Sequence, residues 1–138
     1  MKHDLNQVYK DLEKENITVL PYRFQHSKSI ALADEKVVGI DQSKIDGCAE
    51  EYTILIHEKG HFDAGAFYTP ASPYPLKERA EHRADRAAIL QYIPLQELRA
   101  CLSRGTVEIW DLAEYFNVTE DFMHKAISYY RDVMGIHL

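Results

Sequence analysis

Leu5, Val8, Tyr9 and Leu12 recur at steps of three and four, which places them on one face of a helix over residues 4–15 that ends near Asn16. Residues 17–20 form a short β-branched run stopped by Pro21. Two further runs, 29–33 and 37–40, flank the polar triplet Asp34-Glu35-Lys36 in the manner of a hairpin. A small sheet, antiparallel or mixed, is therefore expected behind the first helix. After the Asp46-Gly47 turn, Tyr52, Leu55, Ile56 and Phe62 share a helical stripe and predict a helix over about 49–62, packed against that sheet. Residues 65–75 hold Pro70, Ser72, Pro73 and Pro75 and read as an extended surface loop. Beyond it the strand signals vanish. Residues 76–92, rich in Ala, Glu and Arg, predict a helix ended by Pro94, which also suits the first position of a short helix after it. Gly105 offers a C-terminal cap, and Thr106 and Thr119 are placed to cap helices over 107–116 and 120–134, with Asn117 at the turn between them. The order is one helix, then strands, then a run of helices, the pattern of an α+β domain with its helices gathered on one side.

Length and composition narrow this picture. With 138 residues, 46% of them hydrophobic, the chain can bury one core and is too short for two ordinary domains. We read one domain over 1–138, in which 1–75 supplies helix, sheet and second helix and 76–138 is helical. A net charge of -6 disfavours a protein whose main task is to grip a phosphate backbone. The first residues, Met1 to Asn6, hold no apolar run resembling a signal peptide, and no segment approaches the length of a membrane-spanning helix, so a cytoplasmic protein is expected. Cys48 and Cys101 lack CxxC spacing and read as two reduced thiols.

Candidate chemistry lies on the second predicted helix, in His57-Glu58-Lys59-Gly60-His61. Two histidines four residues apart project from nearly one helical face, so both imidazoles can reach one ion. Glu58 points off that axis, at an angle suited to a water rather than to direct ligation. Zinc held by three protein ligands keeps a fourth position open, where the pKa of water falls to about 7. Glu58 is then the expected general base, returning the proton to a leaving amine. A structural zinc site normally closes all four positions with Cys or His, and no fourth protein ligand is evident here. His3, His26, His124 and His137 are scattered and read as surface or core residues.

The third ligand is left open by spacing alone. The longer metzincin pattern is excluded, because Ala64 and Phe67 stand where it needs glycine and histidine. The helix after the Pro-rich loop presents Glu78, Glu81, His82 and Asp85 along one stripe, any of which is available, although Arg79, Arg83 and Arg86 suit an ordinary solvated face of ion pairs equally well. The small residues Ala84 and Ala88 allow two helices to approach closely.

The block Glu81-His82-Arg83-Ala84-Asp85-Arg86-Ala87-Ala88-Ile89-Leu90-Gln91-Tyr92-Ile93-Pro94, behind an HExxH helix, resembles the ImmA/IrrE family of metallopeptidases and keeps register from glutamate to proline. It departs from the family pattern at Asp85, where asparagine is usual, and at Ala87, where an aromatic is common. The resemblance extends to the strand Val37-Val38-Gly39-Ile40 and to a tail like Leu112 to Thr119. It implies a zincin-like fold, one Zn2+ per chain, Glu81 as third ligand beside His57 and His61, and Asp85 hydrogen-bonded to a ligating histidine. It further implies a site-specific endopeptidase that cleaves a helix-turn-helix transcriptional repressor, often encoded beside it in a prophage or mobile element.

Three further expectations complete the reading. A strand edge at Val37, Val38, Gly39 and Ile40 is expected to pair with an extended substrate segment. Tyr68, Tyr74 and His82 are candidates, unranked, for supporting the transition state, and loop 65–75 is a candidate gate. The rival functions are a metal-free antirepressor that binds without cutting, and a DNA-binding module built on the helix-turn-helix-like tail. The second is disfavoured because Glu120 and Asp121 stand at the start of its recognition helix, with Lys125 and Arg131 its only cations.

Overall fold

The computed structural model describes residues 2–138. Its first helix, α1 (Leu5–Lys14), begins where the Asp4 carboxylate accepts the Gln7 backbone N–H at 2.9 Å, and it buries Val8 and Leu12. Asn16, at φ 59°, then turns the chain through the left-handed region into the sheet. Three strands follow: β1 (Thr18–Pro21), β2 (Ser29–Leu32) and β3 (Val37–Ile40). The expected hairpin forms, with β2 antiparallel to β3 and Ser29 opposite Ile40. β1 pairs with the other side of β3 in parallel, Thr18 opposite Val37, so the sheet is mixed with order β1-β3-β2.

That order corrects one expectation. Val37 to Ile40 form the central strand, with a partner on each side, and cannot accept a substrate strand. Val38 and Ile40 face the core at 0% and 2% exposure, and the space beside Gly39 is taken by the Tyr22 ring, 2.6 Å from where a Cβ would sit. The free edge nearest the second helix belongs to β2, because α2 (Cys48–Ala64) packs chiefly across that strand.

α2 ends at Gly65, whose φ of 60° suits a residue without a Cβ, and it packs most extensively against α3 (Tyr74–Tyr92). α3 starts earlier than expected, taking Tyr74 and Pro75 from the loop, since proline in a first helical turn forfeits no intrahelical hydrogen bond. The two helices nearly touch through their backbones: a Cβ on Gly60 would lie 2.2 Å from the Ala84 carbonyl oxygen. On α2's far side Lys59 is buried, and its ammonium meets Glu15 at 2.8 Å, Asp63 at 2.7 Å and Gln91 at 2.8 Å, tying α1, α2 and α3 together.

Three short helices, α4 (Leu95–Ser103), α5 (Ile109–Phe116) and α6 (Glu120–Ser128), close the fold, and α6 runs on into a π-helical turn, Tyr129–Val133. Thr119 caps α6 by accepting the Phe122 N–H at 3.3 Å, as expected. Thr106 caps nothing: its N–H bonds the Cys101 carbonyl at 3.0 Å to finish α4, so α5 starts only at Ile109. One apolar cluster joins Val8 and Leu12 of α1, Ile40 of β3, Leu55 of α2 and Phe116 of α5, so both parts of the chain share it. Among the described residues the fold is therefore α+β, six α-helices with a small mixed sheet. Cys48 and Cys101 are free thiols, and no helix among the described residues is long and apolar enough to cross a membrane.

Candidate metal centre

His57 and His61 lie on successive turns of α2 with ring centroids 4.8 Å apart. Each ring is fixed by an acceptor at Nδ1. His57 Nδ1 faces the Asp85 carboxylate at 2.7 Å and His61 Nδ1 faces the Ala66 carbonyl at 2.6 Å. Since a neutral imidazole carries one proton, both Nδ1 atoms donate and both Nε2 atoms present a lone pair. Those lone pairs converge on Glu81 of α3, whose Oε2 lies 2.6 Å from His57 Nε2 and 3.4 Å from His61 Nε2. The three donor atoms all lie within 4.8 Å of one another.

Three electron-pair donors crowded together repel unless a positive charge lies among them. Where protons alone supply that charge, burial favours neutral His57, but the hydrogen bonds to Asp85 and Glu81 prevail and push its pKa up to about 10. The same contest, between burial and the hydrogen bonds to Glu81 and Ala66, raises His61. Glu81 moves the opposite way: burial favours its acid form, yet hydrogen bonds from His57, His61 and Tyr68 hold it far below the usual carboxylate range. A divalent cation is the alternative source of charge. Two ligands on one tetrahedral ion stand about 3.4 Å apart, a spacing the His61–Glu81 pair has and the His57–Glu81 pair, at 2.6 Å, reaches only by opening. Two imidazoles and one carboxylate with oriented Nδ1–H groups therefore fit a metal ion, and the cluster His57, His61 and Glu81 can hold one.

Glu58 is buried beside this triad at 5% exposure. Its Oε2 accepts the Ser29 hydroxyl from β2 at 2.5 Å, and its Oε1 faces His61 Nε2 at 3.8 Å. Burial raises the Glu58 pKa, opposed by His57 and by the Ser29 hydrogen bond. Asp85, 9% exposed, shares its second oxygen with Lys125 of α6 at 3.3 Å. Burial acts to raise its pKa, and His57 outweighs that to lower it.

Of the three residues considered for transition-state support, Tyr68 alone enters the network. Its hydroxyl donates to Glu81 Oε1 and its ring packs edge-on to His61. Tyr74 is 73% exposed at the start of α3 and takes no part in the hydrogen bonds of the triad; neither does His82, which lies on the wall of a neighbouring cleft. The loop before α3 is anchored at Ala66, 3% exposed, and leaves Phe67 and Tyr68 over the His61 ring. The sequence reasoning missed Ser29, Gly60 and the Ala66 carbonyl. Only Gly60, a glycine inside a helical pattern, carried a signal that could have flagged it.

Comparison with protein-family models, curated proteins and solved structures finds no match to this chain.

Proposed function

We propose that the chain is a zinc-dependent endopeptidase with a zincin-like site, in which His57, His61 and Glu81 hold the ion and Glu58 is the general base. The observation that carries this reading is the convergence of two Nε2 lone pairs and one carboxylate oxygen, with a buried glutamate at its side. Bound there, zinc supplies Lewis acidity toward a carbonyl oxygen and eases deprotonation of water. The chain's own residues do the rest. Asp85 and the Ala66 carbonyl hold the two imidazoles in the tautomer that leaves Nε2 free. Ser29 occupies one Glu58 oxygen and leaves the other, on the triad side, to take a proton from water and pass it to the leaving amine. The Tyr68 hydroxyl, which donates to Glu81, would turn from it to meet a developing oxyanion. The free edge of β2 offers main-chain hydrogen bonds to an extended substrate. Likeness to the ImmA/IrrE pattern supports a helix-turn-helix repressor as that substrate, and a cytoplasmic setting with it.

The test is elemental analysis of protein purified without a histidine tag, for the native chain, Glu81→Gln and Glu58→Gln. About one zinc per chain is expected in the native protein and in Glu58→Gln, and much less in Glu81→Gln. Cleavage of a repressor encoded beside this gene, followed by mass spectrometry, should occur with the native chain alone. Absence of bound metal in all three forms after zinc is supplied sinks the proposal.

A further inference from the structure

The triad stands where two hollows meet. A smaller cleft of about 450 Å³ holds Glu58, Phe67 and Tyr68, and a larger one of about 1010 Å³ opens between α2, α3 and α6; Ser29, His57 and Glu81 line both. The floor of the larger cleft is apolar, with Ile54, Ile89, Phe122 and Tyr129. Its rim is cationic, with Arg79, Arg83 and Arg86 from α3 and Lys125 from α6, in a chain whose net charge is -6.

The charges along this cleft do not cancel locally. Glu81 is engaged by the two histidines, Asp85 by His57 and Lys125, and Asp132 by Arg131 at 3.1 Å. Arg83 donates to the Ala64 carbonyl at 2.9 Å. Arg79 and Arg86 are left with no hydrogen-bond or ion-pair partner among the described residues. Two unengaged guanidiniums above an apolar floor complement a ligand that is apolar at its base and carboxylate-bearing at its edge, since guanidinium binds carboxylate as a two-pronged fork.

Resting on the peptidase reading, we infer that the larger cleft receives the substrate on one side of the cut bond and selects an apolar residue adjoining aspartate or glutamate. The apolar side chain rests on Ile89 and Phe122, and the acid meets Arg79 and Arg86.

Fluorescence anisotropy tests this with the zinc-loaded Glu58→Gln chain, which binds without cutting. The probes are a short fluorescein-labelled peptide alternating leucine or phenylalanine with glutamate, and its counterpart with lysine at each glutamate. The acidic peptide is expected to bind about tenfold more tightly at fixed salt, and Arg79→Glu with Arg86→Glu to abolish or invert that preference. Both arginines are exposed, so the charge reversals leave the fold intact, which an unchanged circular dichroism spectrum and urea midpoint verify. Equal binding of the two peptides, no binding of either, or indifference to the reversals overturns the inference. So does displacement of the acidic peptide by an equal concentration of a single-stranded oligothymidine, which would assign the rim to nucleic acid. Zinc content separates the two readings: acid preference without zinc keeps this cleft and removes the peptidase, whereas zinc without preference does the reverse.

Discussion

Replacing Gly60 by alanine tests the link between helix packing and the metal centre. The new Cβ would lie 2.2 Å from the Ala84 carbonyl oxygen, 2.9 Å from its carbonyl carbon and 3.2 Å from its Cα, all backbone atoms that no rotamer change can move. Relief to ordinary contact requires α2 and α3 to part by about 1 Å. Alanine gains about 1 kcal/mol over glycine in helix propensity, whereas overpacking costs about 1–3 kcal/mol, and a backbone obstacle belongs at the upper end. Net destabilisation of about 1–2 kcal/mol is expected without metal. The same parting draws Glu81 away from the histidines; if the triad holds zinc as proposed, with bond lengths that tolerate about 0.2 Å, its affinity should fall about 100-fold. With zinc in excess the stability gap then widens by about 2.7 kcal/mol. Urea unfolding with and without zinc gives both gaps, and competition with a chromophoric chelator gives the affinity. A Gly60→Ala protein as stable as the native chain and equal in zinc affinity would refute the claim that backbone contact at Ala84 sets the ligand geometry.

Two further outcomes are expected. Asp85→Asn should weaken zinc binding about 10- to 100-fold in the chelator competition, because a neutral amide replaces the carboxylate that orients and polarises His57. Lys125→Met should change it by only a few-fold, its ammonium being 60% exposed and 3.3 Å from Asp85; equal losses in both would place the control in α6 instead. Glu97 loses some acidity to burial, but His3 at 2.6 Å, Lys2 at 3.1 Å and Tyr115 at 3.0 Å stabilise its carboxylate and lower its pKa overall. A depressed folded-state pKa gives stability that is present above the unfolded carboxylate pKa and lost as the pH falls through the folded value. Glu97→Gln should therefore be less stable than the native chain by about 1 kcal/mol at pH 7, with the gap closing in acid; a gap constant with pH would contradict the assignment.

The elements carried by short-range pattern were legible in the sequence. The helix bearing His57 and His61 was, because Tyr52, Leu55 and Ile56 mark its core face, and the β2–β3 hairpin was, because its polar triplet sits between two apolar runs. The parallel pairing of β1 with β3 was not, since nothing local distinguishes a central strand from an edge strand of four residues, and Val37 to Ile40 read as a free edge for that reason. The two histidines followed from helical geometry alone, whereas Glu81 had to be chosen by likeness. Ser29 and the Ala66 carbonyl were beyond reach: one is a common residue on a distant strand, the other a backbone atom of a loop. Thr106 shows the opposite failure, in which a good capping side chain is displaced because its own N–H is needed to end the preceding helix.

The residues of the candidate metal centre leave the ribosome in a set order. His57 and His61 come first, Glu81 only after the proline-rich loop, and Lys125 later still, on the helix that fills the core with Phe122, Met123 and Ala126 and whose continuation ties Tyr130 to the Ile93 carbonyl at 2.8 Å. A growing chain thus carries two histidines without their carboxylate, then a carboxylate whose helix still lacks its cover. The histidine pair therefore gains its carboxylate only when α3 packs on α2, and Asp85 gains its ammonium partner only when α6 reaches α3.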